Sequence, residues 1–249
     1  MAAVWFLPIA LSVVAFLYAS VGHAGASGYI AVLALAGLPA EQINPLALIL
    51  NTLVASAGCW NFLRAGHLPW RRIWPVYLLA IPGAFLGGWL NLPAFWFQRL
   101  VGVVLLFSAW RLGRSPHDPP ALQDPSPALL VAAGASLGLM AGLTGTGGGV
   151  FLTPLLLLCH WCTTREAAAV SVLFILFNSI AGLAGLAVSG SPSLVSLGRP
   201  DLALLLITVL LAGGLGSRLG SRHWPVAWIR RALAGVLLLA SWKLLGGGF

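Results

Sequence analysis

Charged residues are scarce in this chain. Its 249 residues include 13 lysines and arginines and 5 aspartates and glutamates, 7% in all, whereas 59% are hydrophobic. A soluble domain carries about 25% charged residues, so most of this surface cannot face water. Apolar runs of about 20 residues recur along the sequence, and a helix of that length crosses the bilayer core. The composition predicts an all-α polytopic membrane protein and excludes soluble enzymes, disordered proteins and nucleic-acid binders.

Cysteine and the common cofactor motifs are also scarce. The 3 cysteines, an odd number, do not make a disulfide framework. The run Cys159-His160-Trp161-Cys162 offers too few ligands for a zinc site. The glycine-rich run from Gly145 to Gly149 lacks the lysine of a nucleotide-binding loop. We therefore expect no metal, no cofactor and no ATP-driven transport by this chain alone.

Acidic residues are absent from the interior of the apolar runs. All five lie near the ends of runs or in the polar stretches between them: Glu41, Asp118, Asp124, Glu166 and Asp201. This distribution disfavours a carboxylate pathway for protons or sodium through the membrane. Glu41 and Glu166 are expected to cap helices or to pair with a basic residue such as Arg165. Ion coupling would then depend on His23, on a protonated form of the substrate, or on the membrane potential.

Ten apolar segments punctuated by glycine, proline or charge predict about 8–10 membrane segments. They span residues 4–20, 24–38, 44–63, 73–90, 97–112, 128–143, 147–160, 166–189, 201–221 and 230–246. The second and seventh segments are short, and each follows a glycine-rich stretch. This pattern predicts broken helices or helical hairpins that reach the middle of the membrane.

The basic residues favour one orientation. If all ten segments cross, ten of the 13 lysines and arginines follow odd-numbered segments: Arg64, Arg71, Arg72, Arg111, Arg114, Arg165, Arg218, Arg222, Arg230 and Arg231. Because cytoplasmic loops collect positive charge, these loops are expected in the cytoplasm and both termini outside. For a bacterial-type protein this means the inner membrane, with both termini in the periplasm.

The chain also repeats itself. Residues 1–112 form a first membrane repeat, 113–127 a cytoplasmic linker and 128–249 a second repeat. The closing segments of the two halves match, and the stretch from Gly22 to Tyr29 occupies the place of Leu143 to Val150. Asn51 likewise corresponds to Asn178. Five segments in each half imply two inverted repeats, each with a Gly-broken short helix or hairpin, as in secondary transporters. A duplicated bundle whose glycines only permit close packing is the alternative.

Two motifs carry a family resemblance. VGHAGASGY opens the first half and AGLTGTGGGVFLTP opens the second, with a basic loop between short helices bounded by glycine and proline. The pair resembles the TauE/SafE family, over essentially the whole chain. The resemblance implies about eight membrane helices and export of anions such as sulfite or sulfonates.

An anion at mid-membrane needs donors that carry no full charge. Backbone N–H groups at the starts of two half-helices meet that need, and glycine lets the backbone approach the ligand. Amides and hydroxyls add neutral donors, although each hydroxyl could instead bond to its own helix. His23 could bind the anion, relay a proton or have only a structural role. The predicted substrate-binding residues are Gly22, His23, Gly25, Ser27, Gly28, Asn51, Thr144, Gly145, Thr146, Gly147, Gly148, Gly149 and Asn178.

These observations predict a secondary transporter for a small anion that works by alternating access, and the family resemblance implies export of a sulfur-containing oxyanion. An anion channel on the same scaffold, or a membrane-embedded enzyme or assembly factor, remains as an alternative. The expected partners are the anion and the lipid bilayer, with a homodimer left open and no nucleic acid.

Overall fold

The protein is built from α-helices. A computed structural model describes residues 2–90, 95–114, 117–119, 121–189 and 200–245, and within these ranges there is no β-strand. The helices are α1 Ala2–Ser20, α2 Ala26–Leu35, α3 Ala40–Arg64, α4 Trp70–Ile73, α5 Pro75–Leu90, α6 Phe95–Arg114, α7 Pro127–Thr144, α8 Gly149–Leu158, α9 Thr164–Val188, α10 Pro200–Arg222 and α11 Val226–Leu245. The all-helical membrane prediction is confirmed.

Helix length and composition separate the helices into two groups. In the described part of the chain, four apolar stretches are long enough to cross a bilayer: Gln42–Arg64, Pro127–Thr144, Thr164–Val188 and Leu202–Arg222. Shorter apolar stretches include α2 and α8, which have 10 residues each. At 1.5 Å per residue, these two helices are about 15 Å long, half the thickness of the bilayer core.

Helices α3 and α9 form the centre of the molecule. About two thirds of the most apolar window of α9 is buried (67%), compared with 28% for α10. Gly58 of α3 lies against Val172, and Gly182 of α9 lies against Leu48. Since the residue numbers rise on one helix as they fall on the other, α3 and α9 run antiparallel.

Glycines bring two further helix pairs into backbone contact. Along α7, Gly134 faces the backbone of Val76 and Gly138 faces that of Ala80 on α5. These numbers rise together, so α5 and α7 run parallel. Small residues permit such close approach between membrane helices.

The same arrangement joins α1 to α10. Gly216 of α10 faces the backbone of Phe16 on α1, and Gly220 faces that of Ser20. This pair is also parallel. Each half of the chain therefore supplies one helix that packs against the other half: α5 against α7, and α10 against α1.

Charged loops meet at one end of the molecule, which we call the polar end. The Arg72 guanidinium lies 3.7 Å from the carboxylates of both Asp124 and Glu166. These residues come from the α3–α5 connection, the linker before α7, and the start of α9. Glu166 also forms a capping box with Thr163, and the backbone N–H of Thr163 donates to its carboxylate at 2.8 Å. The structural role predicted for Glu166 is confirmed, with Arg72 rather than Arg165 as its ionic partner.

A second contact at the polar end ties the linker to both α9 and α11. Asp118 accepts a hydrogen bond from the backbone N–H of Thr164 at 2.9 Å. It also pairs with Arg230 at 3.2 Å. The corresponding prediction for Glu41 concerns a side chain outside the described residues.

The outward faces of the helices are apolar. On α1, Ile9, Val13 and Leu17 recur every fourth residue and are 60%, 52% and 46% exposed. A stripe of this kind on a monomeric soluble protein would be a large exposed apolar patch, whereas in a bilayer it faces lipid.

Candidate functional site

The first glycine motif forms the break between α1 and α2. Helix α1 ends at Ser20, and α2 begins at Ala26 after Gly25. Gly22 and Gly25 adopt φ angles of 80° and 105°, which are left-handed values that favour glycine. A Cβ on Gly22 would overlap Ala168 of α9. Glycine at position 22 thus permits both the turn and the contact with α9.

The second motif forms the matching break between α7 and α8. Helix α7 ends at Thr144, and Gly145, Gly147 and Gly148 have φ angles of 66°, 70° and 80°. Gly148 is the residue before α8, as Gly25 is before α2. The Thr144 hydroxyl donates to the Met140 carbonyl at 2.7 Å, which is the bond to its own helix that the sequence left open. Its oxygen also lies 2.8 Å from the Thr146 hydroxyl.

The register between the motifs differs from the one drawn from sequence. Aligning the starts of α2 and α8 pairs Gly25 with Gly148 and Gly22 with Gly145, two residues away from the sequence alignment. In the structural register, glycines with positive φ coincide. The sequence alignment missed this because it compared residue types without knowing where each half-helix begins.

His23 brings the two breaks together. Its Nε2 atom lies 3.3 Å from the Thr153 hydroxyl of α8, and its ring also lies beside the backbone of Gly149. Thr153 in turn donates to Ser171 of α9 at 2.6 Å. All three polar side chains are buried, since none is more than 2% exposed. The first break therefore contacts both the short helix and the central helix of the second half.

A second polar group lies where the α7–α8 break crosses α3 and α9. A Cβ added to Gly147 would lie 3.0 Å from the Ser179 hydroxyl and 3.2 Å from the Asn51 amide nitrogen. Asn51 and Ser179 are both fully buried. Neither side chain finds a hydrogen-bond partner among the described residues. We call Asn51, Ser179 and the backbone of Gly147 the amide pocket.

The amide pocket lies near the middle of the central helices. Helices α3 and α9 have 25 residues each and are therefore about 37 Å long. Asn51 is about 16 Å from the start of α3, and Ser179 is about 14 Å from the end of α9. Because the two helices are antiparallel, both residues are at a similar depth from the same end of the molecule.

Asn178 is buried beside this pocket along α9, but it is not the counterpart of Asn51. It is 1% exposed, and its amide also lacks a partner in the described part of the protein. However, Ile175 stands as far from Thr164, the first residue of α9, as Asn51 stands from Ala40, the first residue of α3. The correspondence drawn from sequence is therefore wrong by almost one helical turn.

Unsatisfied amides of this kind are informative. A buried polar group without a partner costs about 1–3 kcal/mol, so proteins rarely retain one without a ligand, an ion or water. Here amide, hydroxyl and glycine backbone groups converge at one depth, and all are electrically neutral. The only buried lysine, arginine, aspartate or glutamate side chain among the described residues is Arg230, which is 5% exposed and pairs with Asp118 at the polar end. The amide pocket can thus donate hydrogen bonds without a fixed cation.

Two of the predicted residues contact α1 instead. Ser27 shares a hydrogen bond with the Tyr18 hydroxyl at 3.0 Å. A Cβ on Gly28 would lie 2.5 Å from Val14. These contacts hold α2 against α1.

Sequence reasoning missed Ser171, Ser179 and Thr153. Ser171 and Ser179 are eight residues apart on α9 and share one helix face with Ile175. This spacing was a usable signal, because few polar residues interrupt the apolar run. Thr153 lies inside the second motif, four residues after its last glycine.

The cysteine-containing loop between α8 and α9 does not bring together enough potential ligands for a metal ion. Burial raises the pKa of the Cys162 thiol to about 12, so it stays protonated at neutral pH. Among the described residues, no group of three or more His, Cys, Asp or Glu side chains could hold a metal ion.

Comparison with known proteins gives a family match over nearly the whole chain. The family model described as "Sulfite exporter TauE/SafE" matches residues 7–244. The chain is 38% identical over 246 residues to a protein of Sinorhizobium fredii (strain NBRC 101917 / NGR234) named "Probable membrane transporter protein y4hK". That alignment covers 96% of this chain and 97% of the relative. No solved structure matches the chain.

Proposed function

The chain belongs to the TauE/SafE family of membrane transporters, and from this premise we propose that it moves a small sulfur-containing oxyanion across the bacterial inner membrane. Sulfite and sulfonates are the substrates we propose. Export is the direction of transport that we propose.

The amide pocket is the observation that carries this proposal. Asn51 and Ser179 are buried at mid-helix without protein partners, at the point where Gly147 leaves room beside them. An oxyanion has several acceptor oxygens, and the amide, hydroxyl and backbone groups are donors. A bound oxyanion would satisfy groups that the folded chain leaves unsatisfied. Asn178 and the remaining glycines that were predicted to bind substrate are proposed to support the same site.

Alternating access around this pocket is the proposed mechanism. The antiparallel crossing of α3 and α9 supports two inverted repeats, because these helices hold the same place in the two halves. The pairs α5–α7 and α10–α1, in each of which a helix of one half packs against a helix of the other, also support inverted repeats. Rocking one repeat against the other would then expose a fixed pocket to each side in turn.

Flux into proteoliposomes tests the proposal. Purified protein would be reconstituted and given labelled sulfite, an alkanesulfonate or sulfate, with the inside and outside concentrations controlled. We expect saturable and selective movement of at least one sulfur oxyanion. Flux that rises linearly with concentration would indicate a channel, and folded, inserted protein that moves none of the three anions would refute the proposed substrate class.

A further inference from the structure

The hydrogen bonds around His23 indicate which protons its imidazole carries. Its Nδ1 atom lies 3.3 Å from the Val21 carbonyl oxygen, which can only accept. That bond therefore forms only when Nδ1 carries a proton. At the other side of the ring, Thr153 donates its single hydroxyl proton to Ser171. Toward His23 the Thr153 oxygen is thus left as an acceptor, so the 3.3 Å contact needs a proton on Nε2.

Both ring nitrogens of His23 consequently face acceptors. A neutral imidazole satisfies only one of them, whereas the imidazolium satisfies both. The two acceptors are the Val21 carbonyl and the Thr153 hydroxyl, and neither is a carboxylate. Hydrogen bonding from both ring nitrogens therefore favours the protonated form of the imidazole.

The other titratable groups around His23 do not duplicate this role. Among the packed helices, α1 and α2 carry only the phenols of Tyr18 and Tyr29 as ionisable side chains, and α8 carries none. The charged residues at the start of α9 are engaged elsewhere, because Arg165 donates to the Trp224 carbonyl and Glu166 pairs with Arg72. His23 is the one side chain in this group whose ordinary titration lies near neutral pH.

His23 is also mechanically linked to the amide pocket. Gly149, beside the imidazole, and Gly147, beside Asn51, both lie against Ile175 of α9. Ser171 and Ser179 flank Ile175 one turn away on either side of the same helix face. A change at His23 therefore acts on the break that forms part of the pocket.

We infer that His23 is the proton-binding residue that couples anion movement to a proton. This inference rests on the proposed transport of an oxyanion. A proton from water binds Nδ1 of the neutral imidazole, and the new N–H is donated to the Val21 carbonyl. The resulting cation offsets the charge of the anion held in the amide pocket. When the site faces the opposite side, Nδ1 returns the proton to water and the anion leaves.

The test separates proton coupling from transport itself. Liposomes carrying wild type or His23→Gln would be assayed for exchange of labelled anion at equal pH, and for accumulation driven by a pH gradient. The membrane potential would be clamped with potassium and valinomycin. An alkanesulfonate is the first probe, because it stays ionised at every pH used and cannot itself carry the proton. Sulfite serves as the probe if the wild type exchanges only that anion.

We expect wild-type accumulation to rise at least tenfold with the gradient. His23→Gln should lose this gradient response, measured as accumulation divided by the variant's own exchange rate at equal pH. The matched control is His67→Gln, since the His67 imidazole contacts the Ser221 carbonyl at 2.9 Å, at the end of α10 away from the site. That variant should retain the full response.

A second variant covers the case in which His23→Gln does not fold. Thr153→Val removes the acceptor for Nε2–H, so a lower pH should be needed to protonate the ring, and the pH midpoint of driven accumulation should shift downward. Wild-type exchange without any gradient response, an unchanged response in His23→Gln, or an unshifted midpoint in Thr153→Val would each overturn the inference. Wild type without exchange of any tested anion would instead refute the proposed function.

Discussion

Glycine at position 147 has two separate consequences, one for the backbone and one for the space in the amide pocket. Its φ of 70° is strained for any residue with a side chain, at a cost of about 1–2 kcal/mol. A Cβ there would also intrude on the pocket, at 3.0 Å from the Ser179 hydroxyl. Gly66 shares the backbone conformation, with φ of 75°, but has no atom within 4 Å of an added Cβ.

We therefore expect Gly147→Ala to reduce transport at least tenfold and Gly66→Ala to leave it near the wild-type level. Both variants share the backbone strain, but Gly147→Ala should lose more stability than Gly66→Ala because its Cβ would also lie 2.8 Å from Ile175. Flux in proteoliposomes and thermal unfolding in detergent would measure the two effects. Equal transport by the two variants would mean that the space beside Gly147 has no role in binding.

Asn51 and Asn61 lie on the same helix and differ in their partners. The Asn51 amide has none among the described residues, whereas Asn61 donates to the Gly214 carbonyl at 3.0 Å and to the Ser217 hydroxyl at 2.8 Å. Replacing a bonded polar group with an apolar one costs about 1 kcal/mol, while replacing an unsatisfied group of similar size costs nothing or stabilises.

For Asn51→Leu we expect an unchanged or higher unfolding temperature together with a KM for the anion raised roughly ten- to a hundredfold, as loss of a charge-assisted hydrogen bond implies. Asn61→Leu should show the reverse: a lower unfolding temperature and an unchanged KM in the protein that remains folded. The proposed role of Asn51 would be abandoned if its replacement behaved like that of Asn61.

The sequence could identify Asn51, His23 and the glycines because an amide, an imidazole or a glycine cluster is unusual within an apolar run. Ser179 and Ser171 were harder to single out, since a serine in a membrane helix commonly bonds to its own backbone, and only their eight-residue spacing indicated a shared face. Whether a serine bonds to its own backbone depends on the neighbours that packing supplies. The direction of the Thr153–Ser171 bond, on which the protonation of His23 depends, is likewise a product of tertiary contact.

At the level of helices, the sequence predicted the two short half-helices closely. The expected segment 147–160 is α8, Gly149–Leu158, because positive-φ glycines before it and a turn after it restrict its length. The pairing of helices was not predictable. The glycines of α7 indicate a close approach, but their spacing does not say that α5 rather than another helix is the partner.

The α5–α7 interface gives a prediction at this scale. A Cβ on Gly138 would lie 2.5 Å from the Cα of Ala80, so Gly138→Ala must push two backbones apart. Overpacking of this kind costs about 1–3 kcal/mol. In α11, a Cβ on Gly235 would meet nothing within 4 Å, and alanine is the better helix former.

Thermal unfolding of the purified variants should show a lower midpoint for Gly138→Ala and an unchanged or slightly higher midpoint for Gly235→Ala. A Gly138→Ala midpoint equal to that of wild type would indicate that α5 and α7 are farther apart than described.

For the whole molecule, the ends of the helices determine where the termini lie. Ser20 at the end of α1 packs beside Gly220, near the end of α10 and the polar end. Helix α1 has 19 residues, so its start lies about 28 Å away, toward the opposite end. Helix α11 begins near the polar end, where Arg230 meets Asp118, and its 20 residues carry the chain back across. Both described termini are therefore on the side away from the basic loops.

The distribution of basic residues then predicts which end of the molecule faces the cytoplasm. Arg64, Arg71, Arg72 and Arg165 belong to the polar end, so this end should face the cytoplasm. Gly66 lies at this end, in the turn after α3, while Gly37 lies at the opposite end, before α3 begins. The two glycines have φ angles of 75° and 76° and open space around them, so cysteine at either position imposes the same strain.

In a background with Cys59, Cys159 and Cys162 replaced by serine or alanine, we expect a membrane-impermeant maleimide to label Gly37→Cys in intact cells whose outer membrane is permeable to the reagent. Gly66→Cys should be labelled only after the inner membrane is opened. The opposite pattern would place both termini in the cytoplasm and reverse the orientation, while labelling of both in intact cells would contradict a helix α3 that crosses the membrane. Because the two positions flank one helix, the result also determines which end of α3 faces the periplasm, and hence from which side an anion reaches Asn51 by the shorter path.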